Sequence, residues 1–183
     1  IDTVRQAAGV DKVVLMAHSM GGLLARWYID DAARATKVAR VVTIGTPYWG
    51  SPKALFPLAA GVETPATTIA GLDTFLDNDD LQRLARNLQG LYFLWPSDAY
   101  GRWLRVNGLT PSPLDRNGVL TFTGHTLAGN APLLAHALDR HAAHLDSLKL
   151  NGVDYHVVVG TGMPTIGAVR IFPYPNGEGL YFI

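Results

Sequence analysis

Apolar residues fall along the chain in short runs of two kinds, separated by glycine, proline and charge. Asp2 to Ala8 reads as the end of a helix closed by Gly9, and Lys12 to Ala17 as a valine-rich buried strand. A helix follows from Met20 to about Ala35, and then a second buried strand from Val38 to Ile44. After the turn-rich stretch Gly45-Thr46-Pro47-Tyr48-Trp49-Gly50-Ser51-Pro52, an apolar helix is expected over Lys53 to Ala60. Between Gly61 and Leu150 the pattern changes to short helices and Pro/Gly-rich loops. There Asn78-Asp79-Asp80 opens a helix striped by Leu81, Leu84 and Leu88 and stopped by Gly90. Another starts near Asn130 with Pro132 in its first turn, and Leu134, Leu138, His141, Leu145 and Leu148 share one face of it. Val153 to Gly160 reads as a third buried strand, and Ile166 to Pro173 as an extra strand with Leu180 to Ile183 as its partner.

Strand, helix and strand in that order make a βαβ unit with a parallel pair at its centre. The fold expected is therefore α/β, with parallel central strands in 1–60, a helical cap inserted at 61–150 and a return to the core sheet at 151–183. Three parallel strands cannot cover both of their own faces, which a parallel sheet requires. With Ile1 in place of an initiator methionine, the expectation is a cropped chain that lacks N- and C-terminal parts of its domain.

Composition narrows the function classes. The 183 residues are 48% hydrophobic and 16% charged, enough for a real core. Fifteen basic and fifteen acidic residues cancel and no basic run stands out, so a nucleic-acid or anionic-membrane partner has no electrostatic support. Neutrality suits an uncharged or amphiphilic substrate. The absence of cysteine excludes disulfides and thiolate chemistry but leaves the compartment open. No apolar run reaches the roughly 20 residues that span a bilayer.

The chemistry concentrates at Ala17-His18-Ser19-Met20-Gly21-Gly22, where the first strand gives way to a helix. A serine on a sharp strand-to-helix turn, with small residues two places before and after it, is the nucleophile-elbow arrangement. Ala17 and Gly21 fill those two places. Ser19 is the candidate nucleophile. The Met20 N–H, unpaired at the helix start, is the candidate donor to the oxyanion of a carbonyl under attack. The plainer alternative is a helix-capping serine. Of the histidines, His18 points away from its neighbour, His156 reads as a satisfied residue of a buried strand, His141 as packing, and His136 and His144 as solvent-facing. His125 lies in the least constrained loop. Asp30 and Asp31 sit at the far end of the helix from Ser19. The His136, His141, His144 spacing lacks the i, i+4 pair and glutamate of a zinc helix, so no metal and no cofactor are expected. Among the aromatics, Trp49 has the claim to substrate contact. Asp79, Asp80 and Arg83 read as a solvated helix surface.

Three motifs occur in order: His18-Ser19-Met20-Gly21-Gly22; Thr43-Ile44-Gly45-Thr46-Pro47 with Gly50-Ser51-Pro52-Lys53-Ala54-Leu55; and Gly160-Thr161-Gly162 with Pro164-Thr165. In these the chain resembles the lecithin:cholesterol acyltransferase-like branch of the α/β-hydrolases, a branch of bacterial esterases, lipases and acyltransferases. It departs at Ala17, where glycine is commoner. The resemblance implies acyl transfer from ester lipids or other hydrophobic esters, through an acyl-enzyme on Ser19, to water or an alcohol. It also implies that the triad acid and histidine follow beyond Ile183, and that the second oxyanion donor precedes Ile1. The 183 residues alone are then expected to be inactive. The alternative is a catalytically inactive fragment or a non-enzymatic lipid- or protein-binding module on the same scaffold.

Overall fold

The structure, a computed structural model, describes residues 1–60, 77–106, 112–174 and 177–182. The chain divides into two compact units, one of residues 1–48 and 140–164, the other of 49–139 and 165–183.

The first unit is built on three parallel strands, β1 (Val13–His18), β2 (Val38–Ile44) and β5 (Asp154–Val158), in the order β1-β2-β5. Leu15 pairs with Val41 and Val41 with Tyr155, while Ala17 pairs with Thr43 and Thr43 with Val157. Strand alternation therefore puts these residues on one face, where α2 (Met20–Asp30) packs. The helix buries Leu23, Ala25, Arg26 and Ile29. Ala25 and Ile29 join Ala35, Val38, Val41 and Val153 in a core flanked by Leu15, Ala17 and Tyr155. The other face carries Val14, 60% exposed, Met16, 75%, and Val158, 49%. The preceding helix α1 (Asp2–Ala8) ends at Gly9, whose φ of 64° permits the left-handed turn.

The helix expected to run to Ala35 breaks at Asp31. That residue is extended, and its carboxylate accepts the Arg34 N–H at 2.8 Å, which starts the separate turn α3 (Ala32–Ala35). An aspartate that can cap a new turn competes with continuing the old one.

In the second unit α4 (Phe56–Ala60), α5 (Asn78–Asn87), α6 (Gln89–Tyr92), α7 (Arg116–His125) and most of α8 (Ala131–Arg140) accompany a second sheet. Its strands are β3 (Leu104–Val106), β4 (Ser112–Pro113), β6 (Val169–Tyr174) and β7 (Gly177–Phe182), in the order β4-β3-β6-β7. Its core holds Tyr92, Trp95, Trp103, Leu104, Leu134, Val169 and Ile171. Trp95 meets Trp103 edge-on at 5.6 Å between ring centroids, and its indole N–H donates to the Ala54 carbonyl at 3.1 Å.

Several expectations change here. Asp77, not the Asn78-Asp79-Asp80 group, caps α5, accepting the Asp80 N–H at 2.8 Å. The helix stops because Leu88 is extended, and Gly90 lies inside the next turn. Residues 169–182, expected in the core sheet with 153–160, join the second sheet. The physical reason is that β6 pairs with β3, Leu104 opposite Val169, and β7 folds back on β6. The compact unit holding most of 61–150 begins at Trp49 and takes in 165–183, whereas 140–150 group with the parallel sheet. The first residues of the expected cap, 61–76, and Ile183 lie outside the described residues. The stripe on α8 continues through a π-turn over His141–Leu145, closed by the Asp146 N–H on the His141 carbonyl at 2.8 Å.

Candidate functional site

β1 delivers the chain to Ser19, which sits between strand and helix with φ 53° and ψ −127°. Residues with a Cβ rarely adopt this conformation, which costs of order 1–3 kcal/mol. It is held by two backbone bonds: Ser19 N–H to the Ile44 carbonyl at 2.9 Å, and Gly22 N–H to the Ser19 carbonyl at 3.0 Å. The Ser19 hydroxyl accepts no amide of α2, unlike a capping serine, whose oxygen takes an N–H of the first turn. Met20 begins the helix, so its N–H has no carbonyl four residues back within α2 to receive it. A hydroxyl and a backbone donor without a partner inside its own helix thus sit on adjacent residues where β1 ends, an arrangement of the kind that acyl transfer uses.

The close approach at the elbow falls one residue later than expected. A Cβ built on Gly21 meets Ala17 Cβ at 3.9 Å, an ordinary contact. On Gly22 it would lie 1.9 Å from Thr46 Oγ1. Thr46 belongs to the loop that leaves β2, where Gly45, at φ 56°, donates its N–H to the Val158 carbonyl at 2.9 Å. The Thr46 hydroxyl is buried without a hydrogen-bond partner among the described residues.

Beneath this contact lies a polar cluster absent from the sequence reading. The Tyr48 hydroxyl bonds the Thr43 hydroxyl and stands 3.1 Å from that of Tyr155. The Arg26 guanidinium lies over the Tyr48 ring, 5.2 Å from its centroid. Arg26 is buried and its Nε has no acceptor among the described residues. Burial pushes its pKa down, while burial and the neighbouring Tyr48 hydroxyl push the Tyr155 phenol up. Each residue looks ordinary alone, Arg26 as a polar break in an apolar helix. That break was the one signal available.

The remaining polar candidates are held elsewhere. His144 Nδ1 lies 2.7 Å from Asp30 Oδ2, so His144 is held against Asp30 rather than free in solvent. Asp30 closes α2, about 16 Å from its start at 1.5 Å per residue. His141 is fully buried with Nδ1 3.3 Å from Asp146. His156 is half-exposed and pairs with Asp154 at 3.0 Å; it lies on the sheet face that carries Met16 and Val158, which is open among the described residues. His18 is exposed at the end of β1. In the second unit, His136 meets Phe93 edge-on at 6.4 Å, His125 ends α7, and Trp49 is half-exposed. Arg83 pairs with Asp80 on the surface of α5. Among the described residues no group of three acidic or histidine side chains could hold a metal ion, and no helix is long and apolar enough to cross a membrane. The structure brings Ser19 and Met20 together and places no histidine in hydrogen-bond contact with them among the described residues.

Residues 1–92, which contain the elbow and the loop after β2, match the alpha/beta hydrolase fold family. The chain belongs to the alpha/beta hydrolase fold family. A chain from the crystal structure of the Tle4-Tli4 complex shares this fold with 96% of the present one, at a TM-score of 0.63 and 18% identity. The present chain spans 42% of that chain's length. No curated protein sequence matches it.

Proposed function

We propose that the protein is a serine acyl hydrolase or O-acyltransferase acting on ester lipids or other hydrophobic esters. Ser19 Oγ attacks the ester carbonyl while a general base takes its proton. The Met20 N–H stabilises the oxyanion, the alcohol leaves with a proton, and the acyl group passes from Ser19 to water or a second alcohol. One observation carries the reading: Ser19 stands in a strained conformation at a strand-to-helix junction, with its hydroxyl unused by the helix it begins. The parallel sheet and the family match support it. The finer placement, on hydrophobic esters, rests on the resemblance to the lecithin:cholesterol acyltransferase-like branch and on a chain without net charge. The resemblance to that branch, in which the acid and the histidine follow the third motif, implies a base and an acid beyond Ile183.

The test is active-site labelling. The whole protein, treated with a fluorophosphonate, is expected to carry one adduct, mapped by mass spectrometry to Ser19 and lost in Ser19→Ala, and to hydrolyse p-nitrophenyl esters with a preference for longer acyl chains. A folded protein that takes no adduct and turns over no ester would instead be a binding module on a hydrolase scaffold.

A further inference from the structure

The two backbone bonds at Ser19 fix the residue locally. They do not set how far the first turns of α2 stand from the end of β2, and that spacing decides whether the strained turn persists. The segment after β2 spans the gap twice. Thr46 fills the space over Gly22 in the first turn of the helix. Tyr48 then returns beneath it, its hydroxyl between Thr43 of β2 and Tyr155 of β5, and its ring under Arg26 of α2. Helix, central strand and edge strand are thereby tied to one side chain.

Arg26 makes this more than packing. A buried cation is costly unless it is paired. Among the described residues no carboxylate makes an ion pair with it, Asp30 and Asp146 acting only at longer range. An apolar residue would fill the same space at lower cost, so the charge is retained for what it contacts. That contact is the Tyr48 ring.

We infer that Tyr48 is a positioning residue for Ser19: clamped by Arg26, Thr43 and Tyr155, it holds the β2 end and the first turns of α2 at the spacing that keeps the elbow strained. It touches no reacting atom. The inference rests on the reading of Ser19 as nucleophile, and its consequence is kinetic. Loss of the clamp slows the attack by Ser19 without weakening the encounter with the reagent.

The experiment measures fluorophosphonate labelling of the whole protein, separating the maximal rate kinact from the half-saturation constant KI, alongside thermal melting. Tyr48→Phe, which keeps the ring under Arg26 and removes the hydroxyl, is expected to lower kinact about tenfold or more while KI stays within about twofold, since small misplacements of reacting atoms cost that order of rate. Tyr92→Phe is the control. It removes a doubly hydrogen-bonded hydroxyl from the fully buried Tyr92 of the other unit, one that donates to the Arg86 carbonyl and accepts the Asn130 N–H, and it should leave kinact unchanged whatever it does to melting. An unchanged kinact in Tyr48→Phe, or an equal fall in Tyr92→Phe, overturns the inference. Should Tyr48→Phe not fold, Tyr155→Phe and Thr43→Val each remove one hydroxyl of the clamp, and unchanged kinact in both has the same force. A wild-type protein unlabelled at Ser19 overturns the nucleophile reading and the clamp with it. A labelled wild type with an unaffected Tyr48→Phe overturns the clamp alone.

Discussion

The Thr46 side chain lies against the α-carbon of Gly22, leaving no room for a methyl group between them: a Cβ there would stand 1.9 Å from Oγ1, 2.6 Å from Cγ2 and 2.8 Å from Cβ of Thr46. The glycine pair after Ser19 is therefore not redundant. Gly21 faces an ordinary contact, and Gly22 permits the helix to approach the loop after β2.

Gly22→Ala is expected to destabilise the protein by about 2 kcal/mol, because the overpacking cost exceeds the roughly 1 kcal/mol that alanine gains over glycine in a helix. Urea denaturation checks it. The double variant Gly22→Ala, Thr46→Gly should recover most of the loss, and a double variant no more stable than Gly22→Ala would show that the clash is not its source.

Gly50→Ala should cost more, about 3 kcal/mol or more, since two effects add. The residue has φ 88°, and its Cβ would lie 2.2 Å from the Trp95 carbonyl oxygen and 2.4 Å from the carbonyl carbon. Backbone cannot swing aside as a threonine side chain can. A melting temperature equal to that of the wild type would contradict this.

Ser19→Gly is expected to stabilise the fold by about 1 kcal/mol, by relieving the backbone strain at φ 53° that serine bears, while removing all labelling by fluorophosphonate. Ser19→Ala removes labelling too but keeps the strain, so its stability should match the wild type. Equal stability of the glycine and alanine variants would mean that position 19 carries no strain.

Acid sensitivity should trace in part to Asp30. Burial pushes its carboxyl up, but hydrogen bonds from His144 and Lys149 outweigh burial and hold it below the ordinary carboxylate range. A group whose folded pKa is depressed contributes stability above its unfolded value, about 4, and loses it as the pH falls through the folded value. The urea midpoint is therefore expected to drop below about pH 4, and to drop less steeply in Asp30→Asn. Identical acid limbs in the two proteins would remove Asp30 from the account.

What could be read from the sequence was what depends on near neighbours. The strand expected over Lys12 to Ala17, the turn at Ser19 and the strand Val38 to Ile44 follow from local pattern; the structure has the first strand at Val13–His18 and the other two where the pattern puts them. β3 was missed because three residues are too few to show alternation, and because its parallel partner β6 lies far along the chain, Leu104 opposite Val169. The Tyr48 cluster was invisible for the same reason: its hydroxyl meets Tyr155 across 107 residues. The exposure of His156 was not legible because a valine-rich strand looks buried whether or not both faces of its sheet are covered. The elbow was legible as a motif, whereas its tightest contact was not, since nothing in Gly21-Gly22 says which glycine faces Thr46.

The sheet that carries Ser19 draws its strands from distant parts of the chain. β2 pairs with β5 across residues 49–139 of the other unit, as Arg40 and Asp154 show, 114 residues apart and joined at 2.7 Å. At a synthesis rate of about 5–20 residues per second, roughly 6–23 s separate the emergence of the two strands from the ribosome. For that interval β2 has an open hydrogen-bonding edge and the elbow has no finished sheet to stand on. Until β5 has been made, Ser19 and its turn therefore rest on β1 and β2 alone.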